Sequence, residues 1–182
     1  GGYGSLERAL QSLLYEASPL DELPDLTMPM RETDRPGAVC YRATPEILAG
    51  YLRGSIGNVE GLGPESVVDY VDPGIYIDGR LYFHGAWLNE RECMRWQGPE
   101  RHPGHVVVKY SGIEANLVLA PRESGTSDVV LQQDGASLTA SNAGRDVRVA
   151  RDKRSVVTLD RPRLYNVVRN REFGDHVLRL QP

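Results

Sequence analysis

His102-Pro103-Gly104-His105 places two histidines three residues apart. Metal ligands use that spacing when a helix or a built loop presents both rings. Here Pro-Gly between them makes a turn, and no third ligand joins the pattern. The expectation is a hairpin turn with exposed histidines and no metal. Asp69, Asp72, Glu90 and Glu92 contain enough carboxylates for glycoside hydrolysis. That chemistry needs two carboxyls held a fixed distance apart across a cleft, and nothing in the chain pairs these four, so they read as turn and strand-edge acids. Ser55, Ser66 and Ser111 stand outside any G-x-S-x-G elbow. The glycine-rich stretch 50–63 lacks the G-K-[ST] of a phosphate-binding loop. Cys40 and Cys93 form neither a C-x-x-C nor a metal pattern with the four histidines. They read as ordinary thiols, with a disulfide the alternative in an oxidising compartment. The chain therefore offers no catalytic residue, no metal site and no cofactor site.

Aromatic residues carry more. Tyr41, Tyr51, Tyr70, Tyr76, Tyr82, Trp87, Trp96 and Tyr165 concentrate in the first half and near the end. Exposed rings stack on the apolar faces of sugars, and arginine, asparagine and aspartate bond sugar hydroxyls. The competing reading makes Tyr82, Trp87 and Tyr165 core residues, as large aromatics usually are. Tyr51-Leu52-Arg53, beside the long glycine-rich loop, reads as exposed and partner-facing. Arg163 and Tyr165 fall on one face of a strand entered through Pro162, which cannot sit in a central ladder. The two either grip a hydroxylated or acidic ligand or form a cross-strand pair.

The elements that must hold these residues are mostly strands. From His105 to Ala136, apolar residues alternate through Val106, Val108 and Tyr110, then Ile113, Ala115, Leu117 and Leu119, and resume at Val129 to Leu131. A period of two punctuated by turn residues marks antiparallel strands with one wet face. Further strands are expected near 146–149, 155–159, 163–168 and 176–180. Asp78-Gly79, inside 75–83, is a type I′ hairpin signal. The stretch 87–96 reads as a strand or a turn of helix, and Pro45 suits a first helical turn. Residues 50–73 read as a long loop with one short strand. Ser5 to Ala17 is the clear helix, with Leu6, Ala9, Leu10, Leu13 and Leu14 on one stripe, Ser5 as N-cap and Pro19 as stop. Four prolines in 19–36 make an extended linker or strap.

The fold class is thus all-β: a jelly-roll-like antiparallel β-sandwich preceded by one amphipathic helix and an extended linker. The expected divisions are 1–18 for the helix, 19–37 for the linker and 38–182 for the sandwich. At 182 residues with net charge −4, the chain has the size of one domain with an appendage and lacks the basic stripe of a nucleic-acid binder. No apolar run approaches the roughly 18 residues of a membrane span.

Several motifs occur together in order: Gly50-Tyr51-Leu52-Arg53, Pro64-Glu65-Ser66, Gly85-Ala86-Trp87 with Glu92, Asn116 to Leu119, Asp134-Gly135, Asp146-Val147, Arg163-Leu164-Tyr165 and His176 to Leu180. In these the chain resembles the C-terminal region of bacterial redoxin-domain proteins, in which a sandwich similar to carbohydrate-binding modules follows a thioredoxin-like domain. DipZ-type cytochrome c biogenesis proteins are the best-known relatives. The resemblance implies that Gly2-Tyr3 with Glu7 to Leu10 is the last helix of an upstream thioredoxin-like domain whose C-x-x-C precedes this chain. It implies a non-catalytic accessory module binding a carbohydrate or glycan through Tyr51, Arg53, Trp87, Arg163 and Tyr165. A structural role beside the thioredoxin-like domain, or homodimerisation, is the alternative. DipZ-type relatives place this region outside the cytoplasmic membrane, and other relatives have no membrane part. Relatives usually continue past His176 to Leu180 into one more aromatic-rich strand, so the expectation is either one unpaired sandwich edge or a strand lying outside this chain.

Overall fold

The computed structural model describes residues 3–19, 22–27, 41–99, 104–122 and 125–182. Cys40, His102, Pro103 and most of the proline-rich strap lie outside the described residues. The chain divides into two compact units, Gly1–Arg42 and Ala43–Pro182. In the first, α1 (Tyr3–Ala17) starts before the expected cap, so Ser5 lies inside the helix. Ser18 N–H closes its last turn on Leu14 O at 2.9 Å. The Glu7 carboxylate accepts from Thr27 N–H at 3.0 Å, and Gln11 donates to Pro24 O at 2.6 Å. Leu6, Leu10, Leu13 and Leu14 remain exposed.

The second unit is antiparallel throughout its ladders. Its strands are β1 (Val67–Tyr70), β2 (Leu81–Asn89), β3 (Met94–Trp96), β4 (His105–Leu119), β5 (Ser127–Gln133), β6 (Ala136–Ser137), β7 (Val147–Val149), β8 (Ser155–Leu159) and β9 (Arg163–Gln181). The hydrogen-bonded order is β1-β2-β4-β9-β5-β8-β7, with β3 on β2 and β6 on β5. The body is all-β and sandwich-like, not a closed barrel. The long pair β4–β9 joins its halves. Val106 to Gly112 pairs with Gly174 to Leu180, and Glu114 to Leu119 pairs with Arg163 to Arg169, with register shifts between. Such irregularities bend a ribbon, so both ends of β9 reach one core. Tyr165 and Val167 from its start meet Leu178 and Leu180 from its end, with Leu131, Val157 and Tyr110. A smaller cluster of Tyr70, Phe83 and Trp87 fills the β1–β2–β3 end.

Several local expectations change. The alternation from His105 to Leu119 is a single strand, and the two strands expected near 163–168 and 176–180 are one. Asp78-Gly79 is a turn, but 75–77 stay out of any ladder. Only Gly79 has positive φ, whereas a type I′ turn needs it at both central residues. No helix forms at Pro45 among the described residues. Residues 87–96 are a β-hairpin that sets Trp87 opposite Trp96. Within β9, Leu178 to Leu180 pair with β4 on one side and β5 on the other.

Two buried asparagines anchor the long loop before β1. Asn58 accepts from Phe83 N–H at 2.8 Å and donates to Phe83 O at 2.9 Å. Asn89 accepts from the Tyr70 hydroxyl at 2.7 Å and donates to Ser66 O. Both polar side chains are satisfied, so their burial carries no desolvation debt.

Candidate ligand-binding site

Residues directly opposite in antiparallel strands share a face. Tyr82 lies opposite Val107, Val107 opposite Arg179, and Arg179 opposite Gln132. One row of side chains therefore runs across β2, β4, β9 and β5, on the side away from Val108, Leu131 and Leu178. The turn after β1 overhangs this row. Tyr76 packs edge-on against Tyr82 at 5.2 Å, and the Tyr82 hydroxyl accepts from Ile77 N–H at 2.9 Å. Between turn and sheet lies a cavity of about 360 Å³ lined by Tyr76, Val107, Gln132, Gly135, Val177 and Arg179. That is within the usual range of small-molecule sites.

Asp72 ties the overhang down. Its carboxylate accepts from Gly74 N–H at 2.9 Å, the Tyr76 hydroxyl at 2.9 Å, His105 Nε2 at 2.6 Å and Arg179 Nη2 at 3.3 Å. Burial opposes ionisation of Asp72, but the bonds from Gly74, His105 and Tyr76 outweigh it and hold the carboxyl below its ordinary value. Burial pushes His105 down, and Arg179 and the stacked His84 add to this, against the pull of Asp72. Burial and then the Asp72 carboxylate push the Tyr76 phenol up. At neutral pH the cluster is a carboxylate, a neutral imidazole, a phenol and a guanidinium. It can bond a polar ligand and has no displaced nucleophile.

The five residues expected to bind a ligand do not form one site. Two of them require correction. Tyr165 is 0% exposed and Trp87 is 7% exposed, so neither ring offers a face for stacking. The Tyr165 hydroxyl lies 2.8 Å from Asp160 Oδ1 and accepts Asp160 N–H, fastening the turn before β9. Trp87 packs edge-on against Phe83 and donates Nε1–H to His84 O at 2.9 Å. Arg163 sits over the Tyr165 ring at 3.7 Å and donates to Asp146 Oδ1 at 2.9 Å. Its fork is occupied by the protein, in a same-strand pair rather than a cross-strand one. Tyr51 and Arg53 lie elsewhere, where residues 50–54 dock on the β2–β3 turn through Tyr51 N–H to Glu90 O and Leu52 N–H to Arg91 O. The Tyr51 hydroxyl donates to Glu65 at 2.7 Å, and that bond raises its pKa. Arg53 borders a recess of about 20 Å³, room for one water.

Asp72, Tyr76, His105, Gln132 and Arg179 were not singled out as a set by sequence. His105 also departs from the exposed-turn expectation, since its side chain is only 14% exposed. The available signal was the alternation of His105 and Lys109 on β4 and of Val177 and Arg179 on β9, although Val107, expected on the wet face, is fully buried. A second polar cluster, Tyr110, Gln133, Asn170 and His176, fills the bend of β9. Burial pushes Tyr110 up to about 12, which keeps it a hydroxyl donor within the core.

Among the described residues no group of three histidine, cysteine or acidic side chains could hold a metal ion, and no helix is long and apolar enough to cross a membrane. None of the curated proteins matches the chain. A family model described as "Thioredoxin like C-terminal domain" matches residues 44–182, all of the second unit but its first residue. The chain belongs to that family of C-terminal domains of thioredoxin-like proteins.

Proposed function

We propose that the sandwich is a non-catalytic accessory module of a thioredoxin-type oxidoreductase, and that it binds a carbohydrate or glycan in the cavity beneath the Asp72–Tyr76 turn. The cavity carries this reading. It combines the half-buried apolar side chain of Val177 with donors and acceptors from Arg179, Gln132 and Tyr76. Sugars present that same mixture of C–H faces and hydroxyls. A single such module binds weakly, and tethering it to a redox domain raises the effective concentration of that domain at its substrate. In this reading α1 is the terminal helix of the preceding thioredoxin-like domain, and Tyr51 and Arg53 form a subsidiary contact surface. A glycan array probed with the chain and with Gln132→Ala and Arg53→Ala variants tests it. Binding lost in Gln132→Ala and retained in Arg53→Ala supports the cavity, whereas a blank array with folded protein removes the carbohydrate reading.

A second reading rests on a separate observation. Val59 is 96% exposed and Ile75 is 78% exposed, with Val71 and Ile77 also open. Apolar side chains on neighbouring turns suit a protein contact. The module would then pack on the thioredoxin-like domain and shape its substrate groove, or dimerise. Sedimentation of the chain alone, against Ile75→Ser with Ile77→Ser, reports dimerisation directly.

A further inference from the structure

Resting on the carbohydrate reading of the cavity, we infer that the sugar it selects is an acidic one, held through its carboxylate by the guanidinium of Arg179. The observation is an excess of donors over acceptors around Arg179. Asp72 is the carboxylate beside it, and Asp72 already receives bonds from Gly74, Tyr76 and His105, each shorter than its 3.3 Å contact with Arg179. Arg179 gives one donor to Asp72 and another to the Tyr76 hydroxyl, out of five. The Arg179 side chain is 40% exposed, and it lines the cavity beside Gln132. A guanidinium has five N–H donors in a planar fork that matches a carboxylate two bonds at a time.

A second cation lies on the same face. Lys109 is two residues beyond Val107 and directly opposite Val177, both of which line the cavity. Its partner Asp78 stands 3.3 Å away and is more than half exposed, so the pair is screened by water and readily yields the ammonium. The half-buried side chain of Val177 takes the C–H face of a pyranose ring. A neutral sugar offers the guanidinium hydroxyl dipoles alone. A uronate offers it an anion, and charge-assisted bonds are roughly twice as strong as neutral ones.

The test compares methyl glucuronide with methyl glucoside, titrated into the isotopically labelled chain at pH 7 and low salt, with amide chemical shifts as the readout. The expected result is shifts clustered at Tyr76, Val107, Gln132, Gly135, Val177 and Arg179, with the glucuronide about ten-fold tighter. Arg179→Gln should bring the two sugars to equal affinity while the spectrum stays dispersed. Lys109→Met should weaken the glucuronide alone, by about three-fold. Equal affinities in the unsubstituted chain, or a preference that survives Arg179→Gln, overturn the acidic-sugar assignment while leaving a sugar site in place. Tighter binding of an acetylated dipeptide with a free C-terminus overturns the sugar and retains only the carboxylate. If neither glycoside moves these amides, the carbohydrate reading fails and the inference fails with it.

Discussion

His105 Nε2 lies 2.6 Å from Asp72 Oδ2, joining the first residue of β4 to the turn that follows β1. The two side chains are 14% and 12% exposed. Burial favours the neutral imidazole, so at neutral pH the ring is an N–H donor to a full carboxylate. The folded pKa of His105 lies below its ordinary 6.5. Between those two values the unfolded chain binds more protons than the folded one, and stability is lost as pH falls. The Asp72 carboxyl, depressed below 3.8, adds a second loss at lower pH, as the medium falls through its folded value. The urea midpoint should therefore decline as pH drops below about 6.5, and His105→Gln should flatten the upper part of that decline. Identical slopes for the two proteins between pH 6.5 and pH 5 would sink the assignment.

Asp72 also holds Tyr76 and Arg179, so its replacement has two consequences. Asp72→Asn leaves a histidine and an arginine without their anion and costs about 1–3 kcal/mol by chemical denaturation. It also releases the overhang, so amide exchange at Gly74 and Ile77 should accelerate while exchange at Val107 and Leu178, deep in the ladder, slows or quickens only with global stability. Uniform acceleration in proportion to the lost stability would show that the turn is not separately tethered by Asp72.

Because Trp87 and Tyr165 are buried, their substitution should act on folding, with no effect on a sugar. Trp87→Ala removes an indole packed against Phe83 and Trp96, and about 3–5 kcal/mol is expected. Tyr165→Phe keeps the ring under Arg163 but leaves Asp160 N–H without its acceptor, at about 1–2 kcal/mol. Thermal denaturation measures both. A Tyr165→Phe protein of unchanged stability that had lost glycan binding would contradict the burial argument.

The all-β character was legible because alternation is local. His105 to Leu119 and Ser127 to Gln133 show their period of two without any partner strand. Register is not local. That Val107 stands beside Arg179 follows from pairing across 72 positions, and no spacing in the chain announces it. The irregular stretch opposite Gly112, which merges two expected strands into β9, has the same origin. Aromatic identity misled at Trp87 and Tyr165. A ring with a polar tip serves a core equally well when a backbone carbonyl or a turn carboxylate is at hand, and here His84 O and Asp160 supply them.

Cys93 offers a sharper test of the module's place in redox chemistry. Its thiol is on the surface, where thiols are usually open to reaction. Partial burial, and then the Glu90 carboxylate 2.8 Å from the sulfur, push its pKa up to about 11. The thiolate is the reactive form, so at pH 7.5 only about one molecule in a few thousand carries it, against roughly one in ten for a free cysteine near pKa 8.5. Iodoacetamide should therefore alkylate Cys93 in the folded chain far more slowly than in the chain unfolded in urea. Glu90→Gln removes the adjacent negative charge while keeping an oxygen that can accept from the thiol, and alkylation of the folded protein should then speed up several-fold. Rapid alkylation of the unsubstituted folded chain at pH 7.5 would mean that the sulfur is not held by Glu90, and would reopen Cys93 as a participant in thiol exchange. Slow alkylation relieved by Glu90→Gln places the sulfur among the turn contacts between β2 and β3, where Glu90 also pairs with Arg95 at 2.9 Å.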